Sequence, residues 1–471
     1  MDVSRRGLLG GITAGAALAA APALAQTFAQ TLPQQKAAGP FLASDIGALK
    51  KVLVHSITPL DDGFDRLSES VVPSMDADIA AAASQQQGLM ALLKTQGADV
   101  IEVADALASA IATTRSSGVF ETWVRTAFPG LSLDIARVTA ATILGRDPAT
   151  RHRLGEDGAF RHLADSTTST MWTRDSAFMA PGGLVMGRSA SASRRRENML
   201  LRFCYTHSPL LRDIPIVFDA LSEGVALEGG DAMFVAPDLL YLGTGNRTDP
   251  RVAPMLARRL NCDVLSVQTY KQEFIRPSRP GLSTPVRQLR TLLLHLDTFF
   301  THVAPKHALC VPWLLEKDYA EDNPLSRYVR GARTQGMVEP DEAEKALEMI
   351  KNFGVVTLWT RGTGAKEDLG GAKLVDHLRT QGYRFTFVGG AQPEGDQAGF
   401  EYFMRVVYPE LRRQAANVVQ ARPGRVIAYA GNPATKAALE QDGVAVDTFA
   451  ARELWAWHGG PHCLTQPLLR A

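Results

Sequence analysis

The chain has 471 residues, and its 50 Lys and Arg against 49 Asp and Glu leave no bulk charge to recruit nucleic acid or anionic lipid. Its length allows two or three average domains or one large α/β body with an insertion. Four cysteines, Cys204, Cys262, Cys310 and Cys463, are too few and too scattered for a disulfide scaffold, and no CxxC pair marks a zinc site.

The first residues read as an address. Ser4-Arg5-Arg6-Gly7-Leu8-Leu9-Gly10 has the twin-arginine form and runs into an Ala-rich apolar stretch to about Ala25. Ala23-Leu24-Ala25 before Gln26 has the small-x-small pattern of a signal-peptidase site. Residues 1–25 are therefore expected to be a signal peptide handled by the Tat export machinery and cleaved near Ala25. The mature protein is expected to be periplasmic or secreted, without stable membrane insertion, since no later stretch is apolar for the ~20 residues a span requires. Residues 26–44, rich in Gln, Ala and Pro and without periodicity, read as a flexible leader.

Downstream, residues 49–57 have the β-branched content of a strand. Residues 77–95 carry apolar positions at helical spacing and stop at Gly97, a C-cap candidate; residues 98–103 read as the next strand. From 105 to 165 the texture is helical with no strand of comparable quality, as in an inserted helical subdomain. Two hairpins follow, over residues 179–187 and 233–243, and similar units begin at 310–314 and 426–430. The repeat is of strand-strand-helix-strand modules rather than one doubly wound sheet, an arrangement that brings strand ends and turns onto a common axis.

Four motifs lie at such ends: Trp172-Thr173-Arg174-Asp175, Glu228-Gly229-Gly230-Asp231, His295-Leu296-Asp297-Thr298 and Trp457-His458-Gly459-Gly460-Pro461-His462-Cys463-Leu464-Thr465. Each has an ordinary reading alone, as a surface turn or an inert thiol. Together they supply carboxylates, a base and a nucleophile. That set suits a guanidinium, a planar cation whose central carbon is a poor electrophile. Asp175, Glu228 and Asp297 can grip its N–H fork by charge-assisted bonds. Cys463, on a Gly-Gly-Pro turn, can attack as a thiolate ionised with help from the substrate's charge. His295 can protonate the departing nitrogen and then deprotonate water.

On these motifs the chain resembles the arginine deiminases of the guanidino-group modifying superfamily, from about Gly47 to Arg470. The family's Phe-Thr-Arg-Asp, Arg-x-Arg-Glu, Glu-Gly-Gly-Asp, Ser-Glu-Arg-Thr-like, His-Leu-Asp-Thr and Gly-Gly-x-x-Cys-Met segments appear as residues 172–175, 194–197, 228–231, 245–248, 295–298 and 459–464. The resemblance implies a five-bladed, pseudo-symmetric α/β propeller over residues 45–104 and 166–471, with residues 105–165 as a helical insertion. It implies Cys463 as nucleophile, His295 as proton shuttle, Glu228 behind His295, and Asp175 and Asp297 on the substrate nitrogens. Arg194 and Arg247 would clamp the amino-acid end, and Asp231 would also serve substrate binding. The implied reaction converts arginine to citrulline and ammonia through a thiouronium on Cys463, and calls for no metal or organic cofactor. The implied partner is a small guanidino molecule, and the chain is compatible with oligomerisation.

Two substitutions alter the specificity side. His458 stands where the family has an arginine five residues before the cysteine, and Ser169 where it has an asparagine six residues before the aspartate. Alternatives from the same residues are an amidinotransferase, a hydrolase of agmatine or methylated arginine, and a guanidino-binding protein. A metallohydrolase using His295-x-Asp297 and His458-x-x-x-His462-Cys463 as ligands is a further one.

Overall fold

A computed structural model of the chain describes residues 41, 42, 44–58, 78–129, 134–147, 151–153, 160–162, 168–270, 292–394, 396–457 and 459–471. Residues 1–25, read above as a signal peptide, nearly all of residues 26–44, read as a leader, and His458 lie outside the described residues. The fold is mixed α/β. Strand Leu49–Val54 and helix Ile79–Thr95 form where β-branched and helix-forming residues dictate. The helix starts where the Asp78 side chain accepts the Ala81 N–H, and past its last turn Gly97 takes φ +87°.

Five sheets obey one rule: an antiparallel pair whose second strand takes a third in parallel. Ala177–Ala180, Gly183–Met186 and Ile216–Asp219 make one. Ala232–Ala236, Leu239–Thr244 and Asp263–Gln268 make another, which Val355–Trp359 and Lys366–Lys373 extend on its far side. Phe300–Ala304, His307–Cys310 and Arg384–Phe387 form a third, and Val419–Arg422, Arg425–Tyr429 and Ala445–Phe449 a fourth. The fifth joins the two ends of the chain: Gln466–Arg470 runs antiparallel to Leu49–Val54, which pairs in parallel with Asp99–Glu102. A parallel pairing needs a crossover connection, and each sheet's second and third strands are joined by one that contains helix.

Local differences from the sequence reading have simple causes. The strand expected at 310–314 lies at His307–Cys310, because Pro312 cannot donate to a ladder and Trp313 adopts φ +64°. The segment 105–165 holds helices Val119–Ala127 and Ala140–Ile143 after Val103–Thr114, but also an antiparallel pair, Arg151–Arg153 with Phe160–His162. Three residues per strand are too few for periodicity to register.

Within the segment 105–165, helix Val119–Ala127 packs on helix Arg195–His207. Trp123 stacks on Phe203 with ring centroids 4.4 Å apart, and Arg196 Nε donates to the Ala127 carbonyl at 3.2 Å. That helix follows directly from Arg194. The apolar interior is shared among three clusters between sheets and helices, which leaves the turns at the sheets' leading ends to polar side chains.

Candidate active site

Each motif is a tight turn that feeds the first strand of a sheet. Asp175 lies in the helical turn Thr173–Ser176 ahead of Ala177, and Glu228 precedes the 3-10 turn Gly229–Asp231 ahead of Ala232. His295 opens the 3-10 turn Leu296–Thr298 ahead of Phe300. Cys463 sits in a turn closed by Leu464 N–H to Gly460 O and Thr465 N–H to His462 O, both 3.2 Å, ahead of Gln466. The glycines are there for close approach. A Cβ on Gly230 would lie 2.8 Å from His295 Nδ1, and one on Gly459 would lie 2.0 Å from the Trp172 ring.

The turns bring the predicted side chains together in a nearly dry site. Glu228 and Asp297 are 0% exposed, His295 1%, Cys463 5% and Asp175 6%. His295 Nε2 and Glu228 Oε2 are 2.8 Å apart, and His295 Nδ1 is 3.7 Å from Asp175 Oδ1. The other Glu228 oxygen accepts Ser189 Oγ–H at 2.7 Å and the Ala190 N–H at 3.0 Å, with Arg247 at 3.5 Å. On the opposite side Cys463 Sγ is 3.6 Å from Asp297 Oδ2, to which His462 Nδ1 donates at 2.8 Å.

Asp175 and Asp297 share a further property. Arg194 donates to Asp175 Oδ2 at 2.7 Å and His462 holds Asp297 Oδ2, but Asp175 Oδ1 and Asp297 Oδ1 are buried without a hydrogen-bond partner among the described residues. Buried carboxylate oxygens left unpaired are costly, and N–H donors from a ligand would relieve them.

The arginines and Asp231 are placed less openly. Arg194 also gives Nε and Nη2 to Glu197, at 3.1 and 3.0 Å, so its guanidinium already spans two carboxylates. Arg247 Nε is buried without a hydrogen-bond partner among the described residues. Asp231 spends both oxygens inside the protein, on the Leu296 N–H at 3.0 Å and Thr248 Oγ–H at 2.7 Å, which ties two turns together instead of facing a substrate. Ser169 lies in the 3-10 turn Thr168–Met171.

The charges follow from this packing. Burial lowers the His295 pKa, but Asp175, the Glu228 hydrogen bond and the Asp231 charge outweigh it and raise it to about 9. Burial likewise works against ionised Glu228, yet Arg247 and His295 hold it below the usual carboxylate range. Burial works against ionised Asp297 too, but the His462 hydrogen bond together with the His462, His295 and Arg174 charges holds it low, while burial pushes Asp231 up to about 7. Burial, then the nearby Asp297 and Asp175 charges, push the Cys463 thiol well above its ordinary value. A cation entering between the carboxylates would reverse the last effect.

Asp175, Glu228 and His295 each offer one ligand-type atom within 4.8 Å of the others. The set does not fit a metal. His295 is held as an imidazolium bonded to Glu228, and Arg194 and Arg247 already press cationic groups on the two carboxylates. His462, read as a ligand in the metal alternative, is bonded to Asp297.

Asn417, whose side chain bonds Cys463 and whose turn carries no motif, escaped the sequence reading, and His462 was read there as a metal-ligand alternative and not as the partner of Asp297.

A buried thiol beside Asp297 and Asp175, with an imidazolium next to Asp175, defines the site of a cysteine-dependent hydrolase for a cationic group. Residues 138–470 match the family model described as arginine deiminase, and the chain belongs to that family. It is 25% identical over 460 residues to the arginine deiminase of Metamycoplasma arthritidis strain 158L3-1, covering 92% of this chain and 98% of that one. The arginine deiminase of Mycobacterium marinum is 24% identical over 458 residues, covering 91% and 97%. Among solved structures, the N-terminal domain of an ArgZ mutant covalently bound to a reaction intermediate aligns with TM-score 0.46 at 12% identity, over 89% of this chain and 98% of that one. A DDAH mutant from Pseudomonas aeruginosa complexed with citrulline aligns at 0.44 and 14%, over 90% and 100%.

Proposed function

We propose that this chain hydrolyses a guanidino substrate, with arginine to citrulline and ammonia as the leading reaction. The observation that carries the reading is the pair of oxygens, Asp175 Oδ1 and Asp297 Oδ1, buried beside Cys463 and His295 and without a hydrogen-bond partner among the described residues, with the His295 imidazole 3.7 Å from Asp175 Oδ1. They suit the N–H groups of a guanidinium, whose charge favours the Cys463 thiolate. The thiolate adds to the guanidinium carbon, and imidazolium His295 protonates one nitrogen, which leaves as ammonia. The S-linked thiouronium remains. Neutral His295 then takes a proton from water, the hydroxide adds, and collapse expels the thiolate as the ureido product forms and a proton passes to solvent. Glu228 keeps His295 oriented and charged.

The five-bladed propeller belongs to the same reading; it is supported by the strand order common to five sheets and by the pairing of the chain's two end strands. Export through the Tat machinery as a periplasmic or secreted protein is supported by the Ser4–Gly10 pattern and by Ala23-Leu24-Ala25. N-terminal sequencing of the exported protein should begin at Gln26; an intact N-terminus would count against cleavage there.

The test is ammonia release by the purified chain from arginine, agmatine, methylated arginines and guanidino acids, with Cys463→Ala as blank. Citrulline formed with ammonia from arginine is the expected result. Release only from another guanidine would move the substrate, and silence across the panel would overturn the reading.

A further inference from the structure

Four sheets receive their leading strand from a turn that carries a motif residue. The remaining one, Val419–Arg422, is fed by residues 414–418, where Asn417 N–H donates to Gln414 O at 3.0 Å and Gln414 takes φ +61°. Asn417 is 0% exposed and reaches the same site as the motifs. We propose that Asn417 is a catalytic residue that stabilises the Cys463 thiolate, an inference that rests on Cys463 being the nucleophile.

Asn417 Oδ1 accepts the Cys463 backbone N–H at 3.2 Å, which fixes which end of the amide faces which way. Nδ2 then points its two N–H groups at the Asp297 carbonyl, 3.0 Å away, and at Cys463 Sγ, 3.2 Å away. A carbonyl only accepts, so the opposite amide orientation would place two acceptors together and strand the Cys463 N–H. The turn is packed onto this amide: a Cβ on Gly460 would lie 2.4 Å from Asn417 Oδ1. Asp297 and Asp175 oppose a negative sulfur, and Asn417 is the side chain that donates a hydrogen bond to it among the described residues. Its two ends have separate tasks, with Oδ1 placing the loop and Nδ2 favouring the ion.

The test reads the thiol without any substrate. The rate of alkylation of Cys463 by iodoacetamide is followed against pH in the purified chain, with Cys463→Ala subtracted to remove Cys204, Cys262 and Cys310. Asn417→Asp keeps an oxygen for the Cys463 N–H and loses the donor, so it separates the two tasks. Its alkylation midpoint should rise by at least about one pH unit, a tenfold loss of rate below the midpoint. Asn417→Ala should rise less, because it removes the donor without adding charge. A midpoint unmoved in Asn417→Asp, at unchanged melting temperature, would overturn the assignment. Should Asn417→Ala unfold, Asn417→Asp carries the test. Failure of the proposed reaction would show independently, as absence of ammonia from the substrate panel.

Discussion

Two buried histidine–carboxylate pairs lie in the site, and their imidazoles differ in charge. In both the contact is 2.8 Å, His295 with Glu228 and His462 with Asp297, and all four side chains are at most 1% exposed. Geometry of the pair alone would make them equivalent. The surroundings separate them: His295 faces Asp175, Asp231 and Glu228, which raise its pKa to about 9 against burial. His462 is lowered by burial and by Arg174, and Asp297 offsets this only in part. One imidazole is therefore a proton donor at neutral pH, and the other is a neutral clamp that aims a carboxylate. The net charge of the neighbourhood decides which role a buried histidine takes.

The largest expected effect comes from removing the charged member. His295→Ala should lower turnover of the active guanidine by about 10²–10⁴-fold, the usual worth of a positioned acid and base. A variant within a few-fold of the native rate in steady-state ammonia release would break the comparison. Next, Glu228→Gln keeps a hydrogen-bonding side chain but removes one of the charges that raise His295. The raised pKa means that protonated His295 persists up to about pH 9 and is lost as pH rises through it. The alkaline limb of kcat/KM should thus begin near pH 9 in the native chain and move down by about 1–3 units in the variant. A limb that stays in place would show that Glu228 does not set the proton affinity. The smallest effect belongs to His462→Asn, which retains an N–H donor for Asp297. Activity should fall by about tenfold or less, the worth of one hydrogen bond, with the alkaline limb unmoved. Movement of that limb comparable to Glu228→Gln would mean that the two imidazoles titrate as one unit.

Much of the site was legible because its chemistry sits in compact motifs. Asp175, Glu228, His295, Asp297 and Cys463 each lie in a short turn before a strand, and glycines mark where the backbone must approach a ring. Asn417 was not legible. Its turn, Gln414-Ala415-Ala416-Asn417, is compositionally ordinary, and only the shared position ahead of a leading strand gives it away. Asp231 misled in the other direction. Its place in Glu-Gly-Gly-Asp suggested substrate contact, whereas both its oxygens hold the Thr248 and Leu296 turns.

By itself the sequence determined which reactive groups exist, that they lie on turns between strands and helices, and that a thiol, an imidazole and several carboxylates must act together. Those are local properties, set by side-chain chemistry and by backbone preferences over a few residues. Only the tertiary structure decided which carboxylate meets which histidine, that Asp175 Oδ1 and Asp297 Oδ1 are left for a ligand, and that Asn417 faces Cys463. Hydrogen bonds and charge interactions inside a dry site depend on distances of a few ångströms between residues far apart in the chain, such as Cys463 and Asp297, 166 positions apart. Sequence spacing does not encode such distances. Folding five separate turns against one another does.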